Sequence, residues 1–115
     1  MAAGDRTFFD TVDDAVDAWG AMPTSDRGHL RAIVQLLVEK VGTVHTIYVG
    51  QSDSAIGMSF GPSDRVGLYL HRKRIDVAPE TVKAFGGQAA LAHAYPGFVP
   101  GPGQRSAYAR FPLVG

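Results

Sequence analysis

The stretch that decides the fold is residues 44–70, with the sequence VHTIYVGQSDSAIGMSFGPSDRVGLYL. It contains three runs in which β-branched, aromatic or other apolar side chains alternate with small or polar ones, as is typical of strands. The runs cover residues 44–49, 56–60 and 66–70. The residues between them are rich in Gly, Ser, Pro and Asp, which favour turns. Because such short loops cannot carry a parallel crossover, the stretch predicts a three-stranded antiparallel meander.

Two helices are predicted before this meander. Residues 8–19 place apolar side chains at helical spacing, and Thr7 is in position to cap that helix. A second helix opens at residues 23–26 and ends at Gly42. Its apolar stripe is predicted to face the sheet and consists of Leu30, Ile33, Leu37 and Val41.

The remainder of the chain predicts a short strand, a short helix and a final strand. Residues 75–77 form the short strand, Pro79 begins the helix, and residues 105–111 form the last strand. Residues 95–103 hold three Pro and three Gly and predict no regular structure. The expected fold class is therefore α+β, with two N-terminal helices, an antiparallel sheet of four or five strands, and one short helix before the last strand.

Length and composition indicate a single domain without a membrane-spanning segment. The chain has 115 residues and no cysteine, which fits one α+β domain over residues 1–115 with residues 1–6 flexible. The lack of cysteine excludes disulfides and thiolate chemistry. The longest apolar stretch, residues 32–38, is far shorter than the roughly 20 residues that span a bilayer. With no apolar signal segment at the N-terminus, we expect a cytoplasmic location and no membrane partner.

Charge is balanced overall but divided unevenly along the chain. Residues 1–26 carry six Asp and one Arg, whereas residues 27–115 carry ten Lys or Arg and five Asp or Glu. Such a division indicates either a charged contact surface or two parts of the fold that attract each other.

Four aspartates form a ridge on the first predicted helix. They lie three and four residues apart and therefore share one helix face: Asp10, Asp13, Asp14 and Asp17. Three interpretations remain open: a solvated face, a partner surface, or a metal site. A hard cation prefers oxygen ligands, so these four carboxylates are the candidate metal ligands.

A basic run follows the meander. Residues 69–74 read YLHRKR, and a strand would place Arg72 and Arg74 on the face opposite His71. The predicted ligand-binding residues are Tyr69, His71, Arg72 and Arg74, with Arg110 of the last strand. Arginine makes bidentate contacts with phosphate, and tyrosine stacks on bases of single-stranded nucleic acid. The alternative is a solvated run that protects a sheet edge.

Several short motifs resemble the YdhG-like domains, which are small bacterial proteins. The motifs are TVDDAVD at 11–17, MP at 22–23, LRAI at 30–33, RIDVAP at 74–79, VKAF at 82–85 and ARFPL at 109–113. Some members of that family are labelled frataxin-like iron chaperones, so the resemblance implies a binding protein with iron as the candidate metal. A second resemblance, to the MmcQ/YjbR-like domains, is carried by Tyr95-Pro96 and Pro100 before the final strand.

The sequence shows none of the motifs that mark common enzyme sites. It contains no Walker motif, no dinucleotide fingerprint, no HExxH, and only two glutamates for acid–base chemistry. We therefore predict no catalytic activity. The predicted function is a small cytoplasmic binding protein that holds a small ligand or metal. The alternative is a protein- or nucleic-acid-interaction module that uses residues 71–74 and binds polyanions weakly.

Overall fold

The computed structural model describes residues 7–20, 22–49, 55–61 and 65–114. These ranges hold seven strands, four α-helices and one 3-10 turn. In chain order they are β1 (Thr7–Phe8), α1 (Val12–Trp19), α2 (Thr24–Lys40), β2 (Val44–Val49), β3 (Ile56–Phe60), β4 (Leu68–Leu70), β5 (Arg74–Val77), α3 (Pro79–Phe85), α4 (Gln88–Ala94), β6 (Val99–Pro100), the 3-10 turn (Gly103–Arg105) and β7 (Ala109–Pro112). The flexibility predicted for residues 1–6, and the turns predicted at 50–54 and 62–64, lie outside the described residues.

The seven described strands form one antiparallel sheet in the order β1-β2-β3-β4-β5-β7-β6. The α+β class is thus confirmed, and the meander predicted over residues 44–70 is present as β2, β3 and β4. The predicted count of four or five strands is too low, because two strands of only two residues each lie at the sheet edges. In β6, Pro100 lacks a backbone N–H, and such short, interrupted edges discourage pairing with another chain.

The helices pack against one face of the sheet. Every second strand residue is buried on that face: Ile47, Val49, Ile56, Met58, Leu68, Leu70, Ile75 and Val77. These side chains share one core with residues of all four helices, among them Val16, Leu30, Val82 and Leu91. The predicted stripe of α2 is confirmed for Leu30, Ile33 and Leu37, which are fully buried. Val41 is only partly buried because the helix has ended at Lys40.

The first helix begins at Val12 and not at residue 8. Thr11 is its N-cap, and its hydroxyl accepts a hydrogen bond of 3.1 Å from the backbone N–H of Asp14. Thr7 and Phe8 instead pair with Val49 and Tyr48 of β2. The Phe8 ring therefore fits the helical spacing of the apolar residues only by coincidence, since its backbone is extended.

The C-terminal third differs from the prediction in three places. Two helices stand where one was predicted, because Gly86 and Gly87 adopt φ values of 125° and 106° and break the helix. The Pro/Gly-rich residues 95–103 contain β6, which pairs with β7. The last strand begins at Ala109 and not at residue 105, since the 3-10 turn spans Gly103–Arg105 and residues 106–108 form turns and a bend.

Candidate functional site

One row of residues crosses the whole sheet on the face opposite the helices. Directly paired residues of antiparallel strands place their side chains on the same face. The pairing register joins, in spatial order, Phe8, Tyr48, Gly57, Tyr69, Asp76, Arg110 and Val99. We call this the cross-sheet row. Near its middle, the register sets a tyrosine, a carboxylate and a guanidinium group side by side on three neighbouring strands.

Asp76 is the buried centre of a group of charged side chains. Its side chain is only 1% exposed. Arg110 donates to it twice, from Nε to Oδ1 at 2.8 Å and from Nη2 to Oδ2 at 3.1 Å. Arg74 donates from Nε to Oδ2 at 3.3 Å, and Nε2 of His71 lies 3.9 Å from the same oxygen. We call these four residues the Asp76 cluster, in which two guanidinium groups share one carboxylate and leave a net positive charge.

The contacts of the cluster also shift its pKa values. Burial raises the pKa of Asp76, but the hydrogen bonds and charges of Arg110 and then Arg74 outweigh burial and hold the pKa below its ordinary value of 3.8. The hydrogen bond to Asp76 raises the pKa of Arg110 above its usual range. Asp76 therefore stays ionised near neutral pH. The stability it contributes is present above about pH 4 and is lost as the pH falls through the lowered folded-state pKa.

The hairpin between β4 and β5 brings Arg74 to the same face as His71, contrary to the strand alternation predicted for residues 69–74. The backbone N–H of His71 donates to the carbonyl of Arg74 at 2.8 Å, so only Arg72 and Lys73 form the turn. A continuous strand would have put positions 71 and 74 on opposite faces, but a two-residue turn pairs them across the hairpin. The two-residue turn therefore brings His71 and Arg74 together in the cluster, and the alternating pattern of the sequence does not predict this turn.

Tyr69 connects the cluster to an open cleft of about 500 Å³. Its ring stacks on the imidazole of His71, with 6.4 Å between centroids and 27° between planes. Tyr108, Pro79 and Val66 also line the cleft, together with the ion pair from Arg65 Nη1 to Glu80 Oε1 at 2.6 Å. A volume of this size falls within the range of small-molecule sites. The cleft therefore lies next to the cluster, where the helix-free face of the sheet (the face opposite the helices) meets the start of α3.

Arg72 is the one predicted ligand-binding residue that lies away from both the Asp76 cluster and Tyr69. Its guanidinium lies 3.8 Å from the centroid of the Trp19 ring, a cation–π distance. It also donates from Nη2 to the carbonyl oxygen of Trp19 at 2.9 Å. Arg72 therefore ties the β4–β5 turn to the end of α1, while the other four predicted residues stand together: Tyr69, His71, Arg74 and Arg110.

The four predicted ridge aspartates do not share one helix face, because α1 begins at Val12 and Asp10 precedes it. Two of them, Asp13 and Asp17, face arginines of α2. Oδ1 of Asp13 lies 2.9 Å from Nη2 of Arg31 and 3.6 Å from Nη1 of Arg27. Arg27 reaches Asp17 as well, with 3.0 Å between Nη2 and Oδ1. For these two aspartates, the acidic N-terminal part and the basic remainder do attract each other. Asp10 and Asp14 are exposed, and the part of the chain that the structure describes contains no group of three or more potential metal ligands.

We expect Asp13→Asn/Asp17→Asn to lower the free energy of unfolding by about 1 kcal/mol or less. Exposed ion pairs each contribute roughly 0.2–1 kcal/mol, and salt screens them. The difference from the wild type should therefore shrink in thermal melts at high salt. Asp14→Asn is the matched control, with an expected change of a few tenths of a kcal/mol. Stabilisation of the wild type by ferric or ferrous iron, lost in the double variant, would contradict this result and support the predicted metal site.

Sequence reasoning missed the residue that organises the site. Asp76 lies between Ile75 and Val77 in RIDV, and a carboxylate inside such an apolar strand requires a buried cationic partner. The buried carboxylate could therefore have been noticed in the sequence. Its partner could not, because Arg110 is 34 residues away and the two meet only through the order of strands in the sheet. Tyr48 and Phe8 were missed because ordinary strand composition accounts for aromatic residues at such positions.

Comparison with known proteins leaves the family of this chain open. It matches no family model, and the searches of curated proteins and of solved structures find no similar protein. The YdhG-like resemblance thus remains a prediction based on short motifs. Among the described residues, no helix is long and apolar enough to cross a membrane.

Proposed function

We propose that this protein is a non-catalytic binding protein that holds a small anionic ligand on the helix-free face of its sheet. The anionic group binds to Arg74 and Arg110 of the Asp76 cluster. The rest of the ligand lies towards Tyr69 and the cleft beyond it. The observation that carries the proposal is the buried Asp76 carboxylate, which holds two arginines side by side with an excess of positive charge.

Hydrogen-bond counting supports an anion at this position. A guanidinium group has five N–H donors. Arg74 uses its Nε–H for Asp76, and its two terminal nitrogens have no acceptor among the described residues. Arg110 donates from Nε and Nη2 to Asp76, and its Nη1 has no acceptor among the described residues either. These remaining donors suit the oxygens of a phosphate or carboxylate, which arginine binds by charge-assisted hydrogen bonds.

Preorganisation of the arginines also favours binding. Long arginine side chains lose rotamer freedom when they bind a ligand, which costs about 0.5–1.5 kcal/mol for each one. Because Asp76 already orients both guanidinium groups in the free protein, part of that cost has been met on folding. The side chains of Arg74 and Arg110 are 38% and 20% exposed, so a ligand can still reach them from solvent.

We expect pyrophosphate to bind at the cluster and Arg74→Ala to weaken its binding about tenfold. Loss of charge-assisted hydrogen bonds worth roughly 1.5–3 kcal/mol predicts at least this change. Isothermal titration calorimetry at low salt measures it, with Lys73→Ala as a control that removes an exposed neighbouring cation. If Arg74→Ala and Lys73→Ala lose the same affinity, pyrophosphate is attracted only by the overall positive charge of the turn, and the proposal fails.

A further inference from the structure

Aromatic rings extend the cross-sheet row away from the Asp76 cluster. Phe8 is 61% exposed, an unusual state for a phenylalanine, and its ring lies 6.0 Å from that of Tyr48. Tyr69 follows two strands further on, next to Asp76. Along this face, three rings therefore lead to two arginines.

Gly57 sets the position of the Tyr48 ring. It lies between Tyr48 and Tyr69 in the row, and a Cβ atom added to it would come within 2.8 Å of Cζ of Tyr48. The tyrosine ring thus lies across β3 at a place where only a glycine leaves room for it. This arrangement places the Tyr48 ring over β3, the strand that lies between Tyr48 and Tyr69.

We infer that the helix-free face binds single-stranded nucleic acid, an inference that rests on the anion site proposed above. One backbone phosphate lies at Arg74 and Arg110, and unpaired bases stack on the rings of Tyr69 and Tyr48. Sheets that bind single strands combine the same two features, aromatic platforms and cationic groups along one face. This extends the proposed function from a small anionic ligand to a phosphate group within a nucleotide chain, bound at the same two arginines.

The dimensions of the row and its modest charge favour a single strand over a duplex. From Phe8 to Arg110 the row crosses five strand intervals of about 4.8 Å, or roughly 24 Å in all, which is room for several nucleotides. In a duplex the faces of the bases are stacked and cannot reach protein rings. An acidic peptide would use the arginines but would leave the rings of Tyr69 and Tyr48 without a role.

Fluorescence anisotropy with an oligothymidylate of about eight residues tests the inference. We expect a salt slope of about −0.7 to −1.4, corresponding to one or two phosphate contacts. Tyr69→Leu should weaken binding about 5- to 100-fold, because base stacking on an aromatic ring is lost. Tyr69→Phe keeps the ring and should bind within about twofold of the wild type.

Three results would overturn the inference even if the oligonucleotide binds. The first is equal affinity for duplex and single strand, and the second is an equal loss of affinity in Tyr69→Leu and Tyr69→Phe. The third comes from NMR with isotopically labelled wild-type protein: on titration with the oligonucleotide, the amide chemical shifts change on α2 instead of on β4, β5 and β7. If the oligonucleotide does not bind but pyrophosphate does, this inference is wrong and the proposed function stands. If neither binds, the proposed function fails with it. The shift mapping uses wild-type protein, so the test stands even if a variant folds poorly.

Discussion

Arg110→Ala is expected to lower the free energy of unfolding by about 3–5 kcal/mol. The substitution leaves the carboxylate of Asp76, which is 1% exposed, without its two shortest hydrogen bonds. Removing one partner of a buried ion pair costs this much because the remaining charge is left without compensation. Arg74 still donates to the same carboxylate at 3.3 Å, so the lower end of the range is expected. Chemical denaturation at neutral pH measures the change.

Two comparisons distinguish this effect from a general loss of surface charge. Arg65→Ala removes an arginine from the exposed ion pair with Glu80 and should cost about 1 kcal/mol or less. Acid should also narrow the deficit of Arg110→Ala, since wild-type Asp76 loses its contribution as the pH falls through a folded-state pKa below 3.8. A deficit that stays constant down to pH ~3 would show that Arg110 acts through packing and not through Asp76.

Much of the fold follows from local sequence patterns. The meander was predictable because period-two alternation and turn residues agree over residues 44–70. Helix α2 was predictable because its apolar stripe repeats through about three turns. Elements of two residues carry no periodicity, so β1 and β6 could not be found this way. Phe8 illustrates the difficulty, since its place depends on pairing with a strand 40 residues away.

The candidate site was predicted in part, and the missing part is long-range. Tyr69, His71, Arg74 and Arg110 could be proposed from side-chain chemistry alone. Their arrangement depends on the two-residue turn after His71 and on β7 pairing with β5, neither of which a single residue pattern specifies. Arg72 shows the opposite error: its place in a basic run predicted that it binds ligand, but its side chain packs on Trp19.

Leu37→Ala is expected to lower the free energy of unfolding by about 2–5 kcal/mol. Leu37 is fully buried in α2 and belongs to the single core that joins the helices to the sheet. Its truncation removes buried apolar surface and leaves a cavity that the neighbouring side chains fill only in part. Gln35→Ala, at an exposed position of the same helix, should change stability by no more than about 0.5 kcal/mol. A loss below about 1 kcal/mol for Leu37→Ala would mean that α2 does not pack on the sheet as described. The sheet that carries the Asp76 cluster on one face would then be packed less tightly on its other face than the burial of its strand residues indicates.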